Sequence, residues 1–122
     1  MKYDEFVTRV QERAGLDDRA EAERTSVAIL QALCDRLTGD EAHDLLAQLP
    51  AQLKTAVIVS PSAQPMSAGE FVDRVADELG IPPDEARRRV RAVFGTIRQA
   101  VTLGEFDDVL AQLDPEYADL LA

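Results

Sequence analysis

Side chains able to do covalent or metal chemistry are few in this 122-residue chain, and their spacing does not suit it: His43 is the only histidine and Cys34 the only cysteine. Zinc needs several nitrogen or sulfur ligands converging on one ion, and with no second histidine or cysteine to supply them zinc is excluded. A cysteine nucleophile wants a base within hydrogen-bonding reach. Cys34 instead ends the apolar run Val27-Ala28-Ile29-Leu30-Gln31-Ala32-Leu33-Cys34, where a buried thiol has a raised pKa and acts as a small hydrophobe. His43, with Glu41 and Asp44 beside it, falls on the solvent side of its segment. Serine hydrolysis lacks both a Gly-x-Ser-x-Gly turn and a placed base. No EF-hand loop, phosphate-binding glycine loop or dinucleotide fingerprint occurs. The pairs Asp17-Asp18, Asp40-Glu41 and Asp107-Asp108 fall at helix starts, where the dipole favours negative charge, and they read as caps. The sequence thus predicts no catalytic residue, no cofactor and no metal.

One cluster stands apart. Arg87-Arg88-Arg89-Val90-Arg91, followed by Arg98, places five of the thirteen basic residues on one predicted helix. At about 100° per residue, Arg87, Arg91 and Arg98 share one edge of that helix, with Arg88 farther round. Such a face can bind an anion or an acidic partner, which makes Arg87, Arg88, Arg91 and Arg98 the candidate binding residues. The competing reading, which the composition favours, is neutralisation within the fold. Asp73, Asp77 and Glu78 lie on the preceding helix, and Leu103 to Ala122 carries Glu105, Asp107, Asp108, Asp114, Glu116 and Asp119 without a basic residue.

The elements that position these side chains recur. Glu5 to Leu16 laid over Glu70 to Ile81 matches at six of twelve positions, and Ala22 to Leu49 lies over Ala86 to Leu113, ending in Leu46-Ala47-Gln48-Leu49 and Leu110-Ala111-Gln112-Leu113. Shared caps, stops and apolar positions point to an internal duplication. Each copy reads as three helices and a short fourth. The first carries Phe6, Val7, Val10 and Ala14, or Phe71, Val72, Val75 and Leu79, and stops at Gly15 or Gly80; in the second copy Ser67 to Glu70 forms a capping box. The second helix begins near Asp18, or after Pro82-Pro83-Asp84; it is apolar nearly all round in the first copy, which places it at the centre. The third opens at Thr38 or Thr102 with Glu41 or Glu105 three residues on, a capping box in both copies. Pro50 and Pro115 precede the last helix, whose apolar contacts are Leu53 and Val57, or Leu120 and Leu121.

The expectation is therefore an all-α single domain over residues 1–122, with repeat one at 1–59, a linker at 60–65 and repeat two at 66–122, forming one bundle with a pseudo-two-fold. A unit of half this length is marginal alone. The formal net charge of −10 repels phosphate backbones and anionic lipid surfaces, so neither nucleic acid nor membrane is expected as a partner. At 46% hydrophobic residues the chain folds rather than remaining a disordered polyanion. The start of the sequence lacks a signal-peptide pattern, and an unpaired cysteine suits a reducing compartment; the expected location is cytoplasmic.

Three features, Glu-Phe-Val-x-Arg-Val at Glu5 and Glu70, Ala-x-Arg-x-x-x-Ala at Ala22 and Ala86, and the close from Leu46 to Pro50, together resemble the bacterial family called domain of unknown function 2267. The resemblance covers nearly the whole chain and implies a duplicated helical domain in a bacterial cytoplasm, with no activity, cofactor or catalytic residue to carry over. In the second copy the closing proline arrives one residue late, at Pro115, so the last helix starts differently there. The functional expectation is a non-enzymatic interaction module that binds a protein partner or self-associates. The alternative is a small-ligand or anion carrier whose inter-repeat pocket is closed by Arg87, Arg91 or Arg98.

Overall fold

Glycine and capping residues divide the chain where the sequence places its punctuation. The computed structural model describes residues 1–121, which form helices and no strand. Helix α1 (Tyr3–Ala14) ends at Gly15 with φ 64°, and α5 (Ala68–Leu79) ends at Gly80 with φ 66°. That left-handed turn is one only glycine adopts freely. Helix α2 (Arg19–Arg36) starts under Asp18, whose carboxylate accepts from the Ala20 N–H at 2.9 Å. Helix α6 (Pro83–Ala100) starts with proline at its first position, where a missing N–H costs nothing. The shorter elements are α3 (Gly39–Ala47), α4 (Ala51–Ala56) and α7 (Leu103–Gln112), then a 3-10 turn (Pro115–Tyr117) running into α8 (Ala118–Leu121).

The long helices α2 and α6 touch each other at the centre, and the other helices pack around them. Helix α1 packs on α2 but also on α6, while α5 packs on α6 and also on α2; α3 lies against α7. Each half of the sequence therefore completes the other half's packing. One apolar cluster results, running from Phe6, Val10 and Ile29 through Leu45 to Phe71, Val93 and Ile97. Dividing it would expose most of those side chains, at roughly 1.5–3 kcal/mol each.

The two halves differ at their ends. After α3 the chain turns through Pro50 into α4, burying Leu53 and Val57. After α7, Asp114 adds a residue, and Pro115 opens a tight 3-10 turn instead. This turn drives Tyr117 into the core with no exposed surface, its ring edge-on to Phe71 at 5.8 Å and its hydroxyl donating to the Met66 carbonyl at 2.6 Å. Residues 57–66 connect α4 to α5 without regular structure, and 61–65 are exposed, as the linker composition predicts. The Gln31 amide grips this segment from α2, exchanging two 2.9 Å bonds with the backbone of Ile58.

Tyr117 is thus the tie between the C-terminal turn and the start of α5. Tyr117→Phe keeps the ring and removes the hydroxyl bond, and should lower unfolding free energy in urea by about 1 kcal/mol. Tyr117→Ala also opens a cavity and should cost about 3–5 kcal/mol.

Candidate functional site

At the start of any helix the first backbone N–H groups have no partner within the helix. At α5 a complete capping box solves this: Ser67 Oγ accepts from the Glu70 N–H at 3.1 Å, and Glu70 Oε1 accepts from the Ser67 N–H at 2.9 Å. The sequence predicts the same box at α3 and α7, but there only half of it forms. Thr38 and Thr102 do accept from the N–H groups of Glu41 and Glu105, at 3.4 and 3.2 Å. The return bond is replaced. The Thr38 N–H donates to Gln112 Oε1 at 2.9 Å, and the Thr102 N–H donates to Gln48 Oε1 at 2.8 Å. Helices α3 and α7 therefore lie antiparallel, each cap filled by a glutamine from the end of the other.

The displaced glutamates turn inward. Glu41 and Glu105 are each only 8% exposed, on the same helical edge as Leu45 and Val109 four residues on. Glu41 Oε1 and Glu105 Oε2 are fully buried and have no hydrogen-bond partner among the described residues. Carboxylate oxygens of Glu41, Glu105 and the exposed Asp108 lie within 4.8 Å of one another. Burial pushes the Glu41 carboxyl up to about 8, helped by the bond to Glu105 and by the charges of Glu105, Asp108 and Asp44. Local sequence pattern assigns Glu41 and Glu105 to caps. The missed signal was their place in register with the apolar stripe at aligned positions of both halves.

The arginines of α6 divide among different tasks. Arg88 donates to Glu85 and to the Ala14 carbonyl, closing the C-terminal end of α1. Its sequence counterpart Arg24 does the same for α5, donating to the Leu79 carbonyl at 3.3 Å. Arg91 donates to the Asp119 carbonyl at 2.8 Å, and Arg98 lies over the Phe106 ring at 5.4 Å. Arg87 has no ion-pair partner among the described residues. The buried member of the run is Arg89, 7% exposed, which donates to Glu85 at 2.9 Å, to Glu21 at 2.6 Å and to Thr25 at 2.9 Å. Its hydrogen bond holds the Glu21 carboxyl below the usual range. The acids that take these guanidinium groups sit on α6 itself and on α2. They are not Asp73, Asp77 and Glu78, because α5 turns its Phe71 edge toward Phe94 of α6 at 5.7 Å and leaves those three in solvent.

Cys34 is fully buried, and burial with the neighbouring Asp35 charge pushes its thiol up to about 12; His43 is exposed. The thiol is out of reach of any solvent-borne base. Beside the arginine helix a cavity of about 10 Å³ is lined by apolar side chains, among them Phe94, Ile97, Phe106 and Val109. It holds at most about one water and presents none of Arg87, Arg91 or Arg98.

These features define an all-helical protein whose two halves exchange caps around a buried carboxylate pair. The family model for an uncharacterized conserved protein, domain of unknown function 2267, matches residues 3–120, and the chain belongs to that family. No curated protein matches it.

Because Glu41 holds its proton in the folded protein to higher pH than in the unfolded chain, the folded state binds more protons between about pH 4.5 and 8. Unfolding free energy should fall as pH rises through that window, and Glu41→Gln, which cannot ionise, should flatten the decline in pH-dependent urea titrations. Arg89→Ala leaves Glu21, Glu85 and Thr25 facing a void and should cost about 2–4 kcal/mol. Arg87→Ala should change stability by less than about 0.5 kcal/mol.

Proposed function

We propose that the chain is a tandem duplication of one helical unit, folded about a pseudo-two-fold that passes between Glu41 and Glu105. Reciprocal contacts at aligned positions support this reading. Arg24 closes α5 while Arg88 closes α1. Arg9 on α1 donates to Gln99 at 2.7 Å while Arg74 on α5 donates to Asp35, an aligned pair on the opposite long helix. Gln48 caps α7 while Gln112 caps α3. Independent events rarely repeat three times in register.

In its cell, by this reading a bacterial cytoplasm, the domain acts as a non-enzymatic interaction module whose partner is a protein bearing a basic segment. The observation that carries this is the distribution of unmatched charge. Most of the arginine helix is turned to internal acceptors, whereas Asp107, Asp108, Glu116 and Asp119 are exposed on a stretch that has no basic residue and have no ion-pair partner among the described residues; of the exposed acids there only Asp114 pairs, with Arg36 at 3.5 Å. A surface of that kind attracts cationic partners at long range and repels polyanions. Among the described residues no helix is long and apolar enough to cross a membrane. The carrier alternative has less behind it: the cavity beside α6 is apolar and water-sized, and the larger open groove between α2 and α5, lined by Arg24, Ala28, Gln31 and Glu78, includes none of Arg87, Arg91 or Arg98.

Affinity capture from a host lysate, repeated with Asp107→Lys/Asp119→Lys and with Arg87→Glu/Arg91→Glu, tests the assignment. The captured protein should be lost with the acidic-surface variant and on raising salt, and retained with the arginine variant. Loss with the arginine variant alone would move the surface to α6. A captured set indifferent to both, or a sedimentation profile showing only self-association, would overturn the proposed partner.

A further inference from the structure

Burying two carboxyls of like charge side by side is unfavourable unless something compensates them. The charges that act on Glu41 add to the deficit. Asp44 and Asp108 contribute further negative charge, and Glu41 Oε1 and Glu105 Oε2 accept no hydrogen bond although both side chains are more than nine-tenths buried. The backbone amides that ordinarily occupy glutamates at this helical position are taken by Gln48 and Gln112. Each of the two buried carboxyls thus keeps an unpartnered oxygen, and carboxylate oxygens of both gather with one of the exposed Asp108 within 4.8 Å.

We propose that Glu41, Glu105 and Asp108 bind a hard divalent cation at the seam between α3 and α7. All the donors are carboxylate oxygens, the set preferred by calcium, magnesium and manganese and a poor one for softer ions. Oxygens at about 2.3–2.6 Å from calcium stand up to about 5 Å apart across the ion, so the observed span needs no backbone movement. Asp108 is exposed, which supplies an entry path and leaves room for water to complete the coordination shell. The absence of histidine and cysteine partners that excludes zinc has no bearing on an all-oxygen site. Because its ligands come from both α3 and α7, the ion would clamp the two halves of the chain together. The site shares Asp108 with the acidic surface, but its two buried ligands, Glu41 and Glu105, hold their places whether or not that surface takes a protein partner.

Chelator-treated full-length protein at pH 8 is titrated calorimetrically with calcium, manganese or magnesium chloride, with potassium chloride matching ionic strength, and its thermal midpoint is followed in parallel. At least one of the three ions should bind saturably, one per chain, and raise the midpoint beyond the potassium control. Glu41→Gln and Glu105→Gln relieve repulsion without changing shape, so both should fold, and each should weaken binding by about 10-fold or more; Asp108→Asn should weaken it less. His43→Ala should leave binding unchanged. No saturable uptake of any of the three ions would overturn the proposal and leave a shared proton as the compensation for the pair. Binding that survives in both glutamine variants would equally overturn it, placing the ion elsewhere on the acidic surface.

Discussion

Backbone N–H groups at a helix start must find acceptors, and in this fold α3 and α7 find theirs in each other. Gln48 and Gln112 sit at the far ends of the two helices and reach across to Thr102 and Thr38. That exchange sets the helices antiparallel and fixes their register to within a hydrogen bond. It also decides where the glutamates go, since a carboxylate that is not needed by its own helix start is free to take another rotamer. The only other direction open to Glu41 and Glu105 is the seam itself, because their helical positions share the edge that buries Leu45 and Val109.

From the same exchange follows the way the halves depend on each other elsewhere. With α3 and α7 antiparallel, α1 is carried onto α6 and α5 onto α2, and each first helix then ends against an arginine from the opposite half. A Cβ at Gly15 would stand 3.3 Å from the Arg88 guanidinium, so glycine there serves both the left-handed turn and the approach of that side chain. Neither half buries its apolar stripe alone, which agrees with the small core that a chain of half this length can build.

Much of this was legible in the residues, and the part that was not has a common cause. Gly15, Gly80, Asp18, Ser67 and Pro83 act through neighbours within four residues, so their roles can be read from local sequence. The apolar stripes of α1, α5 and α6 were equally readable, because burial imposes a helical period on them. The fates of Glu41, Glu105 and Arg89 were not. Each depends on a residue far along the chain: Gln112 and Gln48 for the glutamates, Glu21 for the arginine. Local pattern gave Glu41 the commonest role for a glutamate three residues past a threonine, and tertiary contact overrode it. The one available clue was that Glu41 and Glu105 align with each other and lie on an apolar edge, a placement unsuited to charge unless two such groups meet.

The arginine helix shows the same limit from the other side. Five arginines suggest a continuous cationic face, but a side chain that is free in a helical projection need not be free in the fold. Arg88 and Arg91 end on carbonyls that no inspection of α6 would reveal, those of Ala14 and Asp119. A carbonyl at a helix end carries partial negative charge and has no partner of its own, so a guanidinium there satisfies an acceptor the fold must satisfy somehow. A guanidinium used on a carbonyl does not neutralise a carboxylate, and Asp107, Asp108, Glu116 and Asp119 are left without an ion-pair partner among the described residues, while Asp114 takes Arg36. The excess negative charge of the surface is therefore partly a consequence of how the helices are closed, and the acidic face and the internal arginines are two results of one packing arrangement.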